Sequence, residues 1–416
     1  MLSVILLAIP AFMLFMLIEY LVAKAQGKKV YFLNDTISNL SQGIGNQVVS
    51  LLTKAFLAAA FVWTYQNFAL FPDLFRPTWY NAILCLIVFD GLYYWAHRWS
   101  HEWNFLWAAH VVHHQSEEYN LSVALRQPWF HHLLAFFVLL PVPVLGFEPM
   151  MIIGVGAFVT LYQFWIHTKT INRMPAWFEF IFNTPSHHRV HHARDPKYLD
   201  KNHGAVFIIW DRIFGTYKEE EEEPTYGITT PFHSYNPVWG NFHHWAEMWQ
   251  LFRQAPRWAD KFKVLFARPG WKPEELGGYQ PAPEIDEKTI RQYNPKVSDT
   301  MRLYVILQFS ATLLGLTAYM YNFGRLSYFY QILFFVILIL STVICGAILE
   351  NKRWVRSVEY IRLVVIVLSL NTLYYFCFID WLTVMLICSI GLTLSSVIFF
   401  TWSWRRALEQ QPKLNL

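Results

Sequence analysis

The sequence predicts an all-α polytopic membrane protein with about nine membrane helices. Hydrophobic residues make up 55% of the 416 residues, and charged residues make up only 15%, well below the roughly one quarter that is usual in soluble proteins. Apolar runs of about 20 residues, the length that crosses a bilayer, recur from one end of the chain to the other. This composition and periodicity favour a chain that crosses the membrane many times.

The first three predicted membrane helices lie in the N-terminal part of the chain. The run Leu2–Ala23 is followed, not preceded, by basic residues beginning with Lys24, which favours an uncleaved helix over a signal peptide. Val48–Leu70 is the second apolar run. Tyr80–Ala96 is the third, and it leads directly into His97.

Two apolar arms and four further segments complete the predicted set. Leu133–Leu145 and Met150–Ile166 are separated by a short polar turn, so we expect a hairpin that enters the membrane and returns. The four C-terminal segments are Leu303–Phe323, Tyr328–Leu349, Val358–Phe378 and Trp381–Trp402. Thr168–Thr300 lies between these sets, is rich in charge and proline, and contains an acidic run, Glu219–Glu223, which we interpret as a solvated loop.

The distribution of basic residues predicts the orientation. If all nine segments cross, the histidine-rich loops and most basic residues fall on one side, whereas the opposite loops carry only Arg76 and Arg325. The positive-inside rule makes the histidine side cytosolic, in a bacterial inner membrane or the endoplasmic reticulum. We divide the chain into N-terminal membrane helices (1–79), a core with a cytosolic cap (80–300) and a C-terminal four-helix module (301–416).

Three histidine groups are the strongest chemical signal. His97 and His101 are four residues apart, and two triplets of identical spacing follow at His110, His113 and His114 and at His188, His191 and His192. Residues three or four apart share one face of a helix, so each group directs its imidazoles to one place. Neutral imidazole is a ligand of iron, zinc and copper. Eight histidines exceed the ligands of one metal, so the sequence predicts a di-metal site.

Other classes fit the residues less well. The zinc-protease pattern HExxH is absent, because Phe105 stands where its second histidine belongs. The Glu-x-x-His arrangement of soluble di-iron bundles is also absent. A net charge of +4 gives no reason to expect nucleic acid binding. A membrane carrier of metal or haem, and a structural protein with a decayed site, remain as alternatives.

The motifs HRWSH at 97–101, HVVHH at 110–114 and HRVHH at 188–192 resemble the histidine boxes of the fatty acid hydroxylase and sterol desaturase superfamily of membrane di-iron oxygenases. Longer strings resemble its alkylglycerol monooxygenase branch. They are HHQSEEYNLSVALRQ at 113–127, YQFWIHT at 162–168, NTPSHHRVHHARD at 183–195 and DKNHGAVFIIWDRIFGTY at 200–217. The resemblance implies an oxidoreductase that binds two iron ions and uses O2 to hydroxylate a lipid C–H bond, and in this branch cleaves ether lipids.

The resemblance also implies a set of site residues. The implied iron ligands are His97, His101, His110, His113, His114, His167, His188, His191, His192 and His203, of which His203 departs from the tyrosine that relatives often carry. Glu117, Asn120, Asp195 and Asp211 are candidates for orienting those ligands. We expect His187 to lie behind the ligands and support them, and we expect the remaining histidines to be interfacial or solvent-facing and not ligands: His131, His132, His233, His243 and His244.

Partners and the reductant follow from the same resemblance. The implied reductant is tetrahydrobiopterin or another external donor, including an electron-donor protein. The sequence contains neither an HPGG haem motif nor a GxGxxG nucleotide fingerprint, so no electron carrier is expected within the chain. The alternative within the enzyme class is a sterol, fatty-acyl or carotenoid hydroxylase or desaturase. The oligomeric state does not follow from the sequence.

Overall fold

The computed structural model describes residues 4–283, 292–377 and 382–410, and in this part of the chain the protein is all-α. The helices are α1 (Val4–Ala25), α2 (Leu33–Phe68), α3 (Trp79–Glu102), α4 (Asn104–His110), α5 (Leu121–Ala124), α6 (His131–Ala135), α7 (Pro141–Leu145), α8 (Pro149–Trp165), α9 (Ala176–Ile181), α10 (Pro185–His191), α11 (Ile209–Phe214), α12 (Pro237–Gln254), α13 (Trp258–Phe266), α14 (Asp299–Asn322), α15 (Tyr328–Leu349), α16 (Val355–Cys377) and α17 (Leu382–Gln410). The only pairing of β type within the described residues is two isolated bridges.

Six of these helices are long and apolar enough to cross a membrane. Among the described residues the qualifying segments are Ala8–Ala25, Leu33–Phe68, Asp299–Arg325, Tyr328–Leu349, Val355–Tyr375 and Leu382–Ala407. Two shorter apolar stretches, His131–Leu145 and Pro149–Trp165, correspond to the arms of the predicted hairpin. The predicted third segment lies within α3, which is not one of the six. Two predicted boundaries lie outside the described residues: Phe378, the last residue of one C-terminal segment, and Trp381, the first residue of the next. These helices support a multi-pass membrane protein.

The chain forms two compact units. The histidine unit consists of Pro10–His233 and Trp239–Gln292, and the C-terminal unit consists of Met1–Ile9, Ser234–Val238 and Tyr293–Leu416. In the histidine unit an apolar core around Phe89, Phe147 and Ile152 packs α3 against α7 and α8. This packing fixes the ends of α3 and α8, from which several histidines project.

Helix α2 begins much earlier than the second predicted membrane segment. Its first half is polar, yet Ser38 and Asn39 are buried because their side chains accept hydrogen bonds from the Arg126 guanidinium at 3.0 and 3.1 Å. Gly45 permits the close approach: a Cβ there would lie 2.3 Å from the Trp129 indole. Hydropathy identified only the apolar half, since the polar half is stabilised by residues more than 80 positions away.

The C-terminal unit contains a buried ion pair among four mutually contacting helices. The Arg362 guanidinium of α16 lies 2.6 Å from the Glu359 carboxylate and donates to Ser341 of α15 (3.0 Å) and Gln308 of α14 (2.7 Å). Tyr304 donates to the same carboxylate. Charges inside a membrane-spanning bundle are costly unless paired, and these have hydrogen-bond partners on three of the four helices.

Candidate metal centre

Helix ends position the histidines of the three predicted boxes. α3 carries His97 and His101 in its last two turns, and its first turn is capped by the Thr78 hydroxyl, which accepts from the Asn81 N–H at 3.3 Å. The second box lies at the end of α4 and in a 3₁₀ turn, Val111–Gln115. The third box forms α10, whose first helical position is Pro185, a residue suited to that place.

The structure brings nine of the ten predicted ligands into two buried groups. One group is His97, His101, His110, His114 and His191, and the other is His113, His167, His188 and His192. Within each group the candidate ligand atoms all lie within 4.8 Å of one another. The groups adjoin, because the ring centroids of His114 and His192 are 4.5 Å apart. Such an arrangement is compatible with a di-metal site.

Backbone carbonyls orient four of the imidazoles. Nδ1 donates from His97 to the carbonyl oxygen of His203 (2.8 Å), from His113 to Arg126 (2.9 Å), from His167 to Gln163 (2.7 Å) and from His191 to Lys201 (3.0 Å). A carbonyl oxygen only accepts, so Nδ1 carries the proton and Nε2 keeps its lone pair. This is the arrangement that metal-bound histidines adopt.

The state of these Nε2 atoms shows that the residues fit a metal ion. Those of His97, His101 and His191 are buried and have no hydrogen-bond partner among the described residues. In the second group the Nε2 of His167 lies 3.4 Å from that of His113 and 3.1 Å from that of His188. Buried acceptors without donors are costly, whereas a cation among them would satisfy every lone pair. Imidazole donor sets suit iron, copper and zinc.

Burial keeps His113, His188, His191 and His192 neutral. Desolvation lowers the pKa of His113 from its ordinary 6.5 to about 4, with Arg126 and His101 acting in the same direction against the hydrogen bond to the Arg126 carbonyl. Desolvation, together with the neighbouring imidazoles, also lowers the pKa values of His188, His191 and His192 well below 6.5. Only a neutral imidazole binds a metal, so the site is ready for a metal at neutral pH.

The metal-free protein is therefore expected to lose stability in acid. An imidazole whose pKa is lower when folded binds fewer protons in the native state, so its contribution is complete above pH 6.5 and is lost as the pH falls towards about 4. Each such group contributes about 1.4 kcal/mol per pH unit over that window. Thermal unfolding in detergent with a chelator, followed from pH 8 to pH 4, measures this. A midpoint that does not change below pH 6.5 would contradict it.

Two further histidines border the first group. The ring of His203 lies 5.1 Å from that of His101, and neither of its nitrogens has a hydrogen-bond partner of normal geometry among the described residues. His131 was not expected near the site, but its ring is 4.8 Å from that of His110 and its Nε2 is 2.9 Å from the Ser100 hydroxyl. No spacing signal pointed to His131, because it follows the second box by 17 residues.

Among the predicted orienting residues, Asp211 has the clearest role. Its carboxylate accepts from the backbone N–H groups of His203 (2.7 Å) and Gly204 (2.8 Å) and thus fixes the carbonyl that orients His97. Asn120 instead caps α5, by accepting from Ser122 N–H at 2.9 Å.

The other two candidates lie in the surrounding loops. Asp195 accepts from Thr225 N–H at 2.7 Å, and Glu117 lies beside Gly227. No hydrogen bond joins Asn120 or Asp195 to a histidine in the part of the chain that the structure describes. A catalytic role for Glu117, Asn120 and Asp195 stays a prediction.

Sequence reasoning missed a buried carboxylate in the first membrane helix. Glu19 accepts from the Thr168 hydroxyl (2.5 Å), next to His167, and from the backbone N–H of Leu121 (2.8 Å). It thereby ties α1 to the start of α5, after the second box, and to the loop that precedes the third box. The available signal was a single carboxylate in an otherwise apolar run, which marks a specific role.

The acidic run is a largely solvated loop, as the sequence suggested, because four of its five glutamate side chains are exposed, but ion pairs also hold it in place. Each of its five carboxylates forms an ion pair: Glu219 with Arg173, Glu220 with Arg189, Glu221 with Lys218, Glu222 with Lys197 and Glu223 with Lys169. Arg189 lies within the third box. Its pairing with Glu220 holds the acidic run against α10 through a buried contact that charge composition alone does not reveal.

The chain is similar to known lipid oxygenases. The family model for fatty acid hydroxylase matches residues 82–216, which include every histidine of both groups. Alkylglycerol monooxygenase from Homo sapiens is 35% identical over 361 residues, covering 85% of this chain and 80% of the relative. The enzyme of the same name from Danio rerio is 34% identical over 87% of this chain and 81% of the relative.

A more distant relative shares only part of the chain. Lathosterol oxidase from Rattus norvegicus is 28% identical over 162 residues, covering 37% of this chain and 50% of the relative. No solved structure shows a significant match. Family model, long relatives and histidine groups agree: the chain belongs to the fatty acid hydroxylase family, as an alkylglycerol-monooxygenase-like membrane hydroxylase with a histidine-rich metal site.

Proposed function

We propose that the protein is an integral-membrane di-iron monooxygenase that cleaves ether lipids by hydroxylating the carbon beside the ether oxygen. The observation that carries this proposal is the pair of adjoining, buried imidazole groups. Similarity to alkylglycerol monooxygenases over 85% of the chain supports the substrate class, since it extends well beyond the histidine boxes.

Iron is the proposed metal for both groups. The first ion would be held by His97, His101, His110, His114 and His191, with His203 beside them, and the second by His113, His167, His188 and His192. Imidazole is a suitable ligand for iron. Bound iron would supply the change of oxidation state that O2 activation requires. The protein supplies oriented neutral imidazoles in a buried environment.

The proposed reaction balances with an external reductant. One oxygen atom of O2 becomes the hydroxyl on the substrate carbon, and the other leaves as water with two electrons and two protons from outside. The resulting hemiacetal breaks its bond to the ether oxygen and releases an aldehyde and glycerol. Tetrahydrobiopterin is the proposed donor, and an electron-donor protein is the other source.

The full topology is also a proposal. α3 and the two shorter apolar stretches, added to the six long helices, give nine crossings. Alternation then places the histidine-rich loops with Lys24, Lys352 and Arg405 on the side that the positive-inside rule makes cytosolic. The divisions 1–79, 80–300 and 301–416 belong to this proposal.

A sterol, fatty-acyl or carotenoid hydroxylase or desaturase is the second candidate. The similarity to lathosterol oxidase favours it, because that relative is by its name an oxidase of a sterol. It has less support, since that similarity covers 37% of the chain.

The deciding experiment combines iron-loaded protein in lipid, an alkylglycerol, reduced pterin and oxygen-18 gas. The released aldehyde is reduced at once to the alcohol, which stops exchange with water, and its label is measured by mass spectrometry. We expect one labelled oxygen in the alcohol, dependent on both protein and pterin. Aldehyde without label would exclude monooxygenation. Two bound irons without consumption of alkylglycerol would retain the metal centre and exclude this substrate.

A further inference from the structure

A charged recess lies on the histidine unit, and no histidine lines it. Its volume is about 590 Å³, which is in the range of small-molecule sites. Five basic residues (Lys28, Lys29, Lys169, Arg173 and Arg189) and the carboxylates of residues 220–223 line it. The proposed reaction uses none of these side chains as a ligand.

The charges of the recess do not cancel. The ion pairs of the acidic run use Lys169, Arg173 and Arg189 from the lining, and Lys197 and Lys218 from outside it. Every glutamate of the run is thereby matched. Lys28 and Lys29 remain, with no carboxylate within 4.0 Å of either ammonium group among the described residues. The lining carries five basic side chains against four carboxylates, so the recess has one excess positive charge, and Lys28 and Lys29 are its two cations without an ion pair among the described residues.

The two lysines are exposed, and each side chain contacts a neighbouring group. Lys28 Nζ donates to the Lys169 carbonyl (2.9 Å), which leaves two of its N–H bonds free to bind a ligand, and Lys29 Nζ lies 4.3 Å from the centre of the Phe32 ring. The turn before them is fixed, because Gly27 has a φ of 70° and Lys28 N–H donates to the Ala23 carbonyl at 2.9 Å. Preorganised donors lose little entropy when an anion binds.

The position of the recess points to the membrane surface. Lys28 follows the apolar segment Ala8–Ala25 by only three residues, so with that segment in the membrane its ammonium would lie near the depth of lipid phosphates. Basic residues at this depth are attracted to anionic headgroups. We propose that the recess binds the phosphate group of an anionic membrane lipid, through Lys28 and Lys29. The proposal does not depend on which lipid the metal centre oxidises.

Native mass spectrometry of the full-length protein, released from phosphatidylcholine nanodiscs containing phosphatidylglycerol, tests this. We expect saturable retention of one phosphatidylglycerol per protomer. The variant Lys28→Gln/Lys29→Gln should weaken retention roughly 30-fold, because each lysine near the surface contributes about 1 kcal/mol. Both side chains are exposed, so the variant should fold.

The matched control is Lys24→Gln/Lys272→Gln, which removes the same charge outside the recess. Unchanged retention of phosphatidylglycerol by the control variant supports a specific binding site in the recess. Equal loss in both variants, or no loss in the first, would overturn the proposal, since the attraction would then be diffuse. A second arm titrates inorganic phosphate into pure phosphatidylcholine nanodiscs. If inorganic phosphate binds and its binding needs Lys28 and Lys29, but phosphatidylglycerol is not retained, the site binds soluble phosphate. That result would overturn the proposal that the ligand is a lipid.

Discussion

Replacing His113 by alanine is expected to abolish activity while leaving the membrane helices folded. The His113 Nε2 lies 3.4 Å from that of His167 in the group of four, so the change removes one of only four nitrogen donors there. Loss of residues that merely orient a ligand already costs about 10–100-fold in metal affinity or activity, and loss of a ligand should exceed this. Bound iron should fall towards one ion per protomer, because the group of five is unchanged.

The measurements are iron content, aldehyde production and size-exclusion chromatography in detergent. His132→Ala is the matched control, since His132 is exposed and belongs to neither group. It should keep its iron and its activity. If the His113→Ala protein lost its monodisperse species, the fold would depend on the metal centre and the expectation of an independent membrane fold would be wrong.

The second large effect is expected on stability, from Arg189→Ala. All five N–H groups of this guanidinium are used: two bind Glu220 at 2.7 Å each, and the others bind the carbonyls of Thr168, Ile171 and Asn172 at 2.8–3.0 Å. The side chains of Arg189 and Glu220 are only 5% and 13% exposed. Removing one partner of a buried ion pair costs about 3–5 kcal/mol, because the other charge remains buried.

The matched control for Arg189→Ala is an exposed ion pair of the same acidic run. Arg173→Ala breaks the pair with Glu219, whose side chains are 50% and 58% exposed, and should cost at most about 1 kcal/mol. Chemical unfolding in detergent measures both variants. Replacing both buried partners, as Arg189→Met/Glu220→Leu, should recover part of the loss. Equal effects of Arg189→Ala and Arg173→Ala would show that burial does not strengthen the Glu220 pair.

Local spacing predicted much of the metal centre. Histidines four residues apart share a group: His97 with His101, His110 with His114, and His188 with His192. Adjacent histidines point about 100° apart on a helix, which is why His191 and His192 belong to different groups. The sequence could not show which box completes which group, because that depends on how α3, α4, α8 and α10 are placed in space.

What the sequence did not predict rests on long-range contacts between polar groups. The polar sequence of the first half of α2 is typical of a loop. In the structure, Arg126 and other distant residues stabilise this half as a buried helix. The sequence of the acidic run indicates an exposed segment, which holds for four of its glutamates, but it does not show that Glu220 is buried against Arg189. Composition describes one segment at a time, whereas these features depend on pairs of segments.

The use of carbonyl oxygens as acceptors for His97, His113, His167 and His191 has a consequence for sequence divergence. Every amino acid has a carbonyl, so replacing the acceptor residue keeps the hydrogen bond as long as the chain path is kept. Position 203 can therefore change its side chain between homologues while still orienting His97. A mutational scan of the side chains at the four acceptor positions would find no orienting partner, although the partner is present in every variant that folds.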